Sequence, residues 1–234
     1  MSTIAAPRHP TRSTELTTGI ETVQAFVRMG SPRVLMIAIV LTAALRLAAG
    51  HRTLQSMSSA LVLVAVIVAL TGPVEWAIHR FLLHCPVDSF RFTKIGTGVS
   101  HRQHHLDPPD LNHLVLYAHH AAIFVLLLSG ISAAWSALLA GAFGWPRWPS
   151  ILTAIVAAQL SLLHYEWTHL ISHTTYRPRF RYYATKARHH RLHHYRNERY
   201  WLGVTSNTGD RLLGSLPGSK GDVPLSPTAR TLDR

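Results

Sequence analysis

Four long apolar segments, separated by polar and basic connections, are the feature that most restricts how this chain can fold. Each is long enough to cross the hydrocarbon core of a bilayer as a helix, which takes about 20 residues. They predict an all-α integral membrane protein built on a four-helix transmembrane bundle. The third segment is long for one span and predicts either a tilted helix with a cytosolic extension or a tight hairpin. The predicted spans are approximately 32–50, 60–80, 114–143 and 149–172.

The regions that flank the spans define the expected domain organisation. Residues 1–31 are predicted to be a polar cytosolic segment, because the polar start is too long for a signal peptide. Residues 32–213 are predicted to form the membrane-embedded domain. Residues 214–234 are rich in Gly, Pro and Ser, and we expect a flexible tail there.

The basic residues lie almost entirely on one side of the predicted membrane. The formal net charge is +12, and all but three of the 23 Lys and Arg residues belong to the N-terminal segment, the 80–113 connection or the region after residue 173. Because cytosolic segments carry the excess of Lys and Arg, both termini are predicted to be cytosolic and the number of spans to be four. This charge would face anionic headgroups. The chain has no zinc-finger or RNA-binding pattern, so no nucleic-acid partner is expected.

Ten of the 17 histidines form four motifs at the predicted cytosolic ends of the helices. HRFLLH ends the second span, HRQHH lies in the next connection, HLISH ends the fourth span and HRLHH follows it. The topology therefore predicts that all four motifs, and a helical cap that carries them, lie at one membrane level. The ten residues are His79, His84, His101, His104, His105, His169, His173, His190, His193 and His194.

The spacing of these histidines favours metal binding. Residues three or four positions apart share one face of a helix, so each motif presents imidazoles together. Neighbouring histidines in H-x-x-H-H diverge by about 100° on a helix, so each can serve a different metal. Neutral imidazole is a ligand for iron, zinc, copper or nickel. The four motifs together predict a multinuclear metal site with the ten histidines as ligands.

For a single histidine near a membrane interface, an amphipathic side chain with its polar tip in water is the simpler interpretation. That interpretation is preferred for His9, His51, His113 and His164. Both interpretations stay open for His119, His120 and His189, which are close to the motifs. A low-complexity metal-buffering tract would be one run rather than four spaced motifs.

Two carboxylates near the motifs are candidates for orienting the imidazoles. Glu75 precedes His79 by four residues, and Glu166 precedes His169 by three. The stretch EWTH matches the Glu-x-x-His of carboxylate-bridged di-iron bundles, but those sites need two such pairs and further glutamates. Carboxylates that support the ligating imidazoles from behind fit better. Salt bridges with nearby arginines are the alternative.

The stretches EWAIHRFLLH, HRQHHLDPPD, YEWTHLISH and HHRLHHYRN, in this order, resemble the fatty acid hydroxylase superfamily, which includes fatty acid 2-hydroxylases, sterol desaturases and bacterial carotenoid hydroxylases. The resemblance covers about residues 60–215. It implies a membrane oxygenase with two iron ions held by the ten histidines on the cytosolic side, although such sites also take up zinc. The stretch LGVTSNTGDRLLGS resembles the closing segment of the family, and Asp210 matches its acidic residue. Gly209 departs from the aromatic residue expected before that aspartate.

The function implied by the resemblance is O2-dependent hydroxylation of a C–H bond in a fatty acyl or other lipid chain. Side chains alone cannot insert oxygen into such a bond, which requires a redox metal and O2. A desaturase and a carotenoid or sterol-type hydroxylase are alternatives on the same centre, and a membrane metal-binding protein is the non-enzymatic alternative. The expected partners are the lipid substrate and a separate electron donor, which would be a ferredoxin, a flavoprotein or a cytochrome b5-like protein. The expected location is a bacterial cytoplasmic membrane.

Overall fold

The computed structural model describes residues 10–50, 53–86 and 97–232, and within these ranges the chain is helical and contains no strand. The predicted all-α class is therefore confirmed. The helices are α1 (Gly19–Arg28), α2 (Gly30–Ala48), α3 (Leu54–Ala77), α4 (Thr97–Leu106), α5 (Leu111–Leu114), α6 (Ala118–Phe143), α7 (Arg147–His173), α8 (Arg181–Tyr195) and α9 (Thr208–Leu212).

Within the described ranges, three helical segments are long and apolar enough to cross a membrane, and they coincide with the first three predicted spans. At most 17% of the most apolar stretch of each is buried inside the protein. Large apolar side chains such as Leu41, Val68 and Leu126 therefore face outward. An apolar surface of this extent fits lipid rather than water. The three segments are Gly30–Ala48, Leu54–Leu83 and Leu111–Phe143.

The third predicted span forms a single long helix. After the short helix α5 and a break, α6 continues without interruption for 26 residues, which corresponds to about 39 Å. Helix α6 ends at Gly144, whose φ of 65° is the left-handed conformation that commonly terminates helices. The hairpin alternative for 114–143 is therefore wrong.

Helix α7 occupies the place of the fourth predicted span and lies at the centre of the bundle, in contact with α2, α3, α6 and α8. It is 27 residues long, but it does not belong with the three highly apolar segments. Gln159 interrupts its apolar part, and its last turns carry buried polar residues, among them Glu166, Thr168 and Ser172. These polar residues lower the mean hydropathy of α7. They are buried in the protein rather than exposed to lipid. A fourth membrane crossing stays a prediction.

The N-terminal residues pack against the end of the bundle where α7 terminates. Ser13 Oγ donates a hydrogen bond of 2.8 Å to the carbonyl of His173. Leu16 and Phe26 belong to a buried hydrophobic cluster with Leu114 and Leu170. The segment 1–31, which the sequence predicts to be polar, thus contributes apolar side chains to the core.

The C-terminal residues pack against the same end of the bundle. The sequence predicts a flexible tail from residue 214, and the structure differs from that expectation over the described part, 214–232. Val223, Ala229 and Leu232 are buried, and the intervening backbone is hydrogen-bonded to the rest of the protein. The composition of the tail concealed these few apolar anchors, which are spaced widely among polar residues.

Candidate metal centre

All ten predicted ligands are buried and lie together in two groups of five. Within each group, one ring nitrogen from every residue lies within 4.8 Å of those of the other four. Group A consists of His79, His84, His101, His105 and His193. Group B consists of His104, His169, His173, His190 and His194.

The helical geometry of the two H-x-x-H-H motifs explains how they serve both groups. His104 and His105 are neighbours in sequence but point into different groups, as do His193 and His194. By contrast, histidines four positions apart remain in one group, because they share a helix face. The two groups adjoin each other, since the ring centroids of His105 and His194 are only 4.1 Å apart.

His79 and His84 are brought together by a local departure from α-helical geometry. Residues five apart in an α-helix point about 140° away from each other. Helix α3, however, continues as a π-helical segment, Ile78–Leu83, in which the N–H of His84 donates to the carbonyl of His79 at 3.1 Å. An i→i+5 bond places such residues above each other. The two ring centroids are therefore 4.6 Å apart.

Backbone carbonyls orient the imidazoles of group A. The Nδ1 of His79 donates to the carbonyl of Leu202 at 2.6 Å, and that of His193 donates to the carbonyl of Tyr200 at 2.8 Å. A neutral imidazole with its proton on Nδ1 directs the Nε2 lone pair into the group. The Nε2 of His79 is accordingly 3.1 Å from the Nε2 of His101. The sequence contains no signal for these carbonyls.

Glu75 and Asp210 both hold the loop that supplies those carbonyls, residues 200–205. Asp210 accepts hydrogen bonds from the backbone N–H groups of Leu202 at 2.9 Å and Gly203 at 2.8 Å, and from Ser215 Oγ at 2.5 Å. Glu75 accepts from the N–H of Thr205 at 3.0 Å and from its hydroxyl. The two carboxylates therefore reach the imidazoles through the loop rather than by direct contact.

Glu166 has an equivalent position near group B. Its Oε1 accepts from Ser31 Oγ at 2.9 Å and from the N–H of Leu116 at 3.2 Å. Leu116 belongs to the short connection between α5 and α6, and the backbone of Leu114 in the same region is hydrogen-bonded to His169. Glu166 thus connects the start of α2 to the segment that contacts a group B imidazole.

Gly209, where the sequence departs from the resemblance, lies at a close approach between α9 and α3. A Cβ atom at this position would be 2.6 Å from the carbonyl oxygen of Gly72 and 2.6 Å from the Cβ of Trp76. No aromatic side chain fits there without displacing one of the helices. The close packing therefore explains why a glycine stands where the resemblance predicts an aromatic residue. The hydrogen bonds of Asp210 are still formed.

The electrostatics of the cluster keep the imidazoles neutral. Burial, together with the neighbouring histidines, lowers the pKa of His84, His101 and His104 well below the ordinary range. Burial also lowers the pKa of His105 to about 3, against the opposing effect of its hydrogen bond to Ala229. Neutral imidazole is the form that coordinates a metal.

Several buried ring nitrogens have no hydrogen-bond partner among the described residues. They include Nε2 of His105, His169 and His173 and Nδ1 of His84, His190 and His194. Buried polar atoms in proteins are normally satisfied. Imidazoles held neutral, with lone pairs directed at one another, fit divalent transition-metal ions, which would satisfy these nitrogens.

The remaining histidines in the described part of the chain lie outside both groups. His113 is bonded to the hydroxyl of Tyr117 at 2.7 Å, His164 lies 3.3 Å from the hydroxyl of Tyr182, and His189 contacts Asn207 at 3.2 Å. His119 and His120 are on the first turn of α6 and belong to neither group. His9 and His51 fall outside the described residues.

Fold and site together define a class of protein, namely a membrane protein that gathers two buried groups of five histidines at one end of its helices. The family model of the fatty acid hydroxylases matches residues 62–215, which is more than half of the chain. The protein therefore belongs to the fatty acid hydroxylase family, as the four motifs indicated.

Two known proteins illustrate the similarity. The dihydroceramide fatty acyl 2-hydroxylase FAH2 of Arabidopsis thaliana is 29% identical over 147 residues, which cover 62% of this chain and 56% of the relative. The present chain thus spans little more than half the length of that relative. The solved structure of full-length Scs7p, in which only the hydroxylase domain is visible, aligns with a TM-score of 0.58 at 22% identity. That alignment covers 92% of this chain and 70% of the other, and it shows a shared fold.

Proposed function

We propose that this protein is a membrane-bound lipid hydroxylase whose reaction takes place at a di-metal centre held by groups A and B. The single observation that carries the proposal is the division of all ten motif histidines into two adjacent groups of five. A structural role for so many buried, neutral imidazoles is a poor alternative, because it would leave several buried nitrogens without partners.

Iron is the metal that we propose for the active protein. Imidazole also binds zinc, which cannot change its oxidation state and would leave the centre inactive. When bound, iron supplies the O2 activation and electron transfer that no side chain provides. In the overall reaction the substrate C–H bond is replaced by C–OH. One oxygen atom of O2 enters the product, and the other leaves as water after two electrons and two protons are taken up. The reaction requires an electron donor, for which we propose a separate protein.

Within this proposal, Glu75, Glu166 and Asp210 are positioning residues. They hold the backbone segments that contact His79, His193 and His169, and so fix the orientation of the imidazoles. Supporting partners of this kind commonly change metal affinity 10- to 100-fold when they are removed.

The proposed topology places the centre at the cytosolic face with four membrane crossings. Ser13 near the N-terminus and Ala229 near the C-terminus both contact the histidine end of the bundle. An even number of crossings is required to bring both chain ends to one side, and α7 supplies the fourth. The excess of basic residues in the same regions supports the cytosolic assignment.

The proposed substrate is the acyl chain of a membrane lipid. The FAH2 relative carries a name that specifies a fatty acyl substrate. A centre at the membrane edge also lets a chain remain in the bilayer while one carbon reaches the metals. The exposed apolar side chains of Phe81, Leu212 and Leu213, near the end of α3, provide a surface that is compatible with such a chain.

The test compares lipids from cells that express the protein or its variants, with iron in the medium and with the metal content of the purified protein. We expect two iron ions per chain and a lipid that gains one oxygen atom. His104→Ala in group B and His193→Ala in group A should each abolish that product while the protein stays in the membrane. His119→Ala, at an exposed position outside both groups, is the control. A lipid that loses two hydrogen atoms instead would identify a desaturase, and full product from either group variant would refute the proposed centre.

A further inference from the structure

The C-terminal residues 223–232, which we call the C-terminal strap, run across the end of the bundle beside group A. They lie beyond the stretch 62–215 that matches the family model. Val223 and Ala229 are buried, and Leu225 between them is 72% exposed. The strap therefore touches the protein at defined points rather than along its whole length.

One half of the strap is attached to the segment that follows α8. Arg196 Nε donates to the carbonyl of Val223 at 2.7 Å, and the N–H of Ser226 donates to the carbonyl of Arg196 at 2.8 Å. Thr228 Oγ1 donates to Glu198 Oε1 at 2.9 Å. These bonds anchor the strap just beyond the second H-x-x-H-H motif.

The other half of the strap is attached to the end of α4, which carries the first H-x-x-H-H motif. Arg230 Nε donates to the carbonyl of His105 at 2.7 Å, and its NH2 group donates to the carbonyl of Leu106. These are carbonyls of the last helical turn, where a cation is favourable. The guanidinium also lies 5.1 Å from the ring centroid of Tyr195, at the end of α8. Arg230 therefore links the two motif helices.

The contact that matters for the metal centre is made by Ala229. Its carbonyl accepts a hydrogen bond of 2.8 Å from Nδ1 of His105. The bond holds the Nδ1 proton, turns the Nε2 of His105 toward group A and makes that nitrogen a stronger ligand. The strap thus orients His105 in the same way as the loop 200–205 orients His79 and His193.

We infer that the C-terminal strap is a positioning element for His105, and thereby determines how tightly group A, but not group B, retains its metal. This inference rests on the proposed di-metal centre. Within group A, the strap supplies the carbonyl that orients His105, whereas the loop 200–205 supplies those that orient His79 and His193. In group B, His169 is hydrogen-bonded to the backbone of Leu114. Loss of the strap should therefore affect the two metals unequally.

The experiment uses zinc as the probe, so that it does not depend on turnover. The protein is purified in detergent, stripped with a chelator and reloaded with zinc. Both the stoichiometry and the rate of zinc release to excess chelator are then measured. Four variants are compared with the wild type. They are a chain that ends after Val223, Arg230→Ala, Arg230→Lys as the conservative variant, and Leu225→Ala as the matched control on the exposed part of the strap.

We expect two zinc ions per chain and two release phases for the wild type and for Leu225→Ala. In the shortened chain and in Arg230→Ala, one phase should accelerate about 10- to 100-fold, while the other stays unchanged. Arg230→Lys should recover part of the difference, because an ammonium still donates to the helix-end carbonyls.

The outcomes separate this inference from the proposed function. Unchanged release in both the shortened chain and Arg230→Ala would overturn the role of the strap, and so would equal loss of both zinc ions together with a lower unfolding temperature. A wild type that binds no stoichiometric zinc would contradict the metal centre itself. Two zinc ions with strap-dependent release, in a protein that hydroxylates no lipid when loaded with iron, would support the strap and refute only the hydroxylase.

Discussion

Asp210 offers the most informative single substitution, because its carboxylate is fully buried and bonds to the backbone of the loop 200–205, through which we propose that it acts on group A. Its two oxygens accept three hydrogen bonds, from Leu202, Gly203 and Ser215. In Asp210→Asn one oxygen becomes an NH2 group. When that group faces Gly203, a buried backbone N–H loses its acceptor and meets another donor. Leaving one such group unsatisfied costs about 1–3 kcal/mol.

Asp210→Ala is expected to cost more, because the N–H groups of both Leu202 and Gly203 lose their acceptor. From the same figure per group, the loss of stability is about 2–6 kcal/mol. The loop then no longer fixes the carbonyls of Tyr200 and Leu202, which orient His193 and His79. The affinity of group A for zinc should fall about 10- to 100-fold, and group B should keep its affinity.

The assay combines zinc release to excess chelator with denaturant unfolding of the same detergent-purified variants. Asp222→Asn is the control, because Asp222 is an exposed carboxylate that caps a turn at the surface. The expected order of zinc retention in group A is wild type, then Asp210→Asn, then Asp210→Ala. Equal weakening of both groups, or wild-type release from Asp210→Ala, would refute the argument that Asp210 acts through the loop 200–205.

Gly209, Glu166 and the neutral imidazoles allow three further tests. Gly209→Ala should destabilise the protein by about 1–3 kcal/mol in denaturant unfolding, because its Cβ would be 2.6 Å from the Cβ of Trp76. Glu166→Gln should unfold like the wild type, since both bonds go to one oxygen that glutamine retains, whereas Glu166→Ala should lose about 1–3 kcal/mol. Metal-free protein should lose stability as the pH falls below about 6.5, because burial lowers the pKa of His84 and His104 and only the unfolded chain then takes up protons. The loss should reach about 1.4 kcal/mol per pH unit for each such histidine, and zinc-loaded protein measured in parallel should lose less.

The candidate ligands could be read from the sequence because they follow local rules. Spacing of four residues places His101 and His105 on one helix face and in one group, whereas His101 and His104, three apart, are divided between the groups. The distribution of basic residues predicts that the four motifs lie at one end of the bundle. Because successive residues of a helix diverge by about 100°, His104 and His105 are predicted to face different metals. The structure places them in different groups. Three apolar spans follow from composition and length alone.

Other features depend on local distortions and long-range contacts that helical periodicity does not predict. The pair His79 and His84 has a spacing that an α-helix would separate, and a π-helical segment brings it together. Helix α7 is less apolar than a typical span because its polar residues serve the protein interior. The strap looked like a mobile tail because its anchors, Val223 and Ala229, are single apolar residues within a polar segment.

The hydrogen bonds that orient the imidazoles join residues that are far apart in sequence. His79 and Leu202 are 123 residues apart in sequence, His105 and Ala229 are 124 apart, and Glu75 and Thr205 are 130 apart. Pattern rules extend over a few helical turns, so they identify the imidazoles but not the carbonyls that determine which ring nitrogen faces inward. We therefore expect two chains with identical histidine motifs to differ in metal affinity when the loop 200–205 or the C-terminal strap differs. Variants in those segments should change metal retention while every ligand stays in place, and this is the dependence that the zinc measurements on Asp210 and Arg230 are designed to detect.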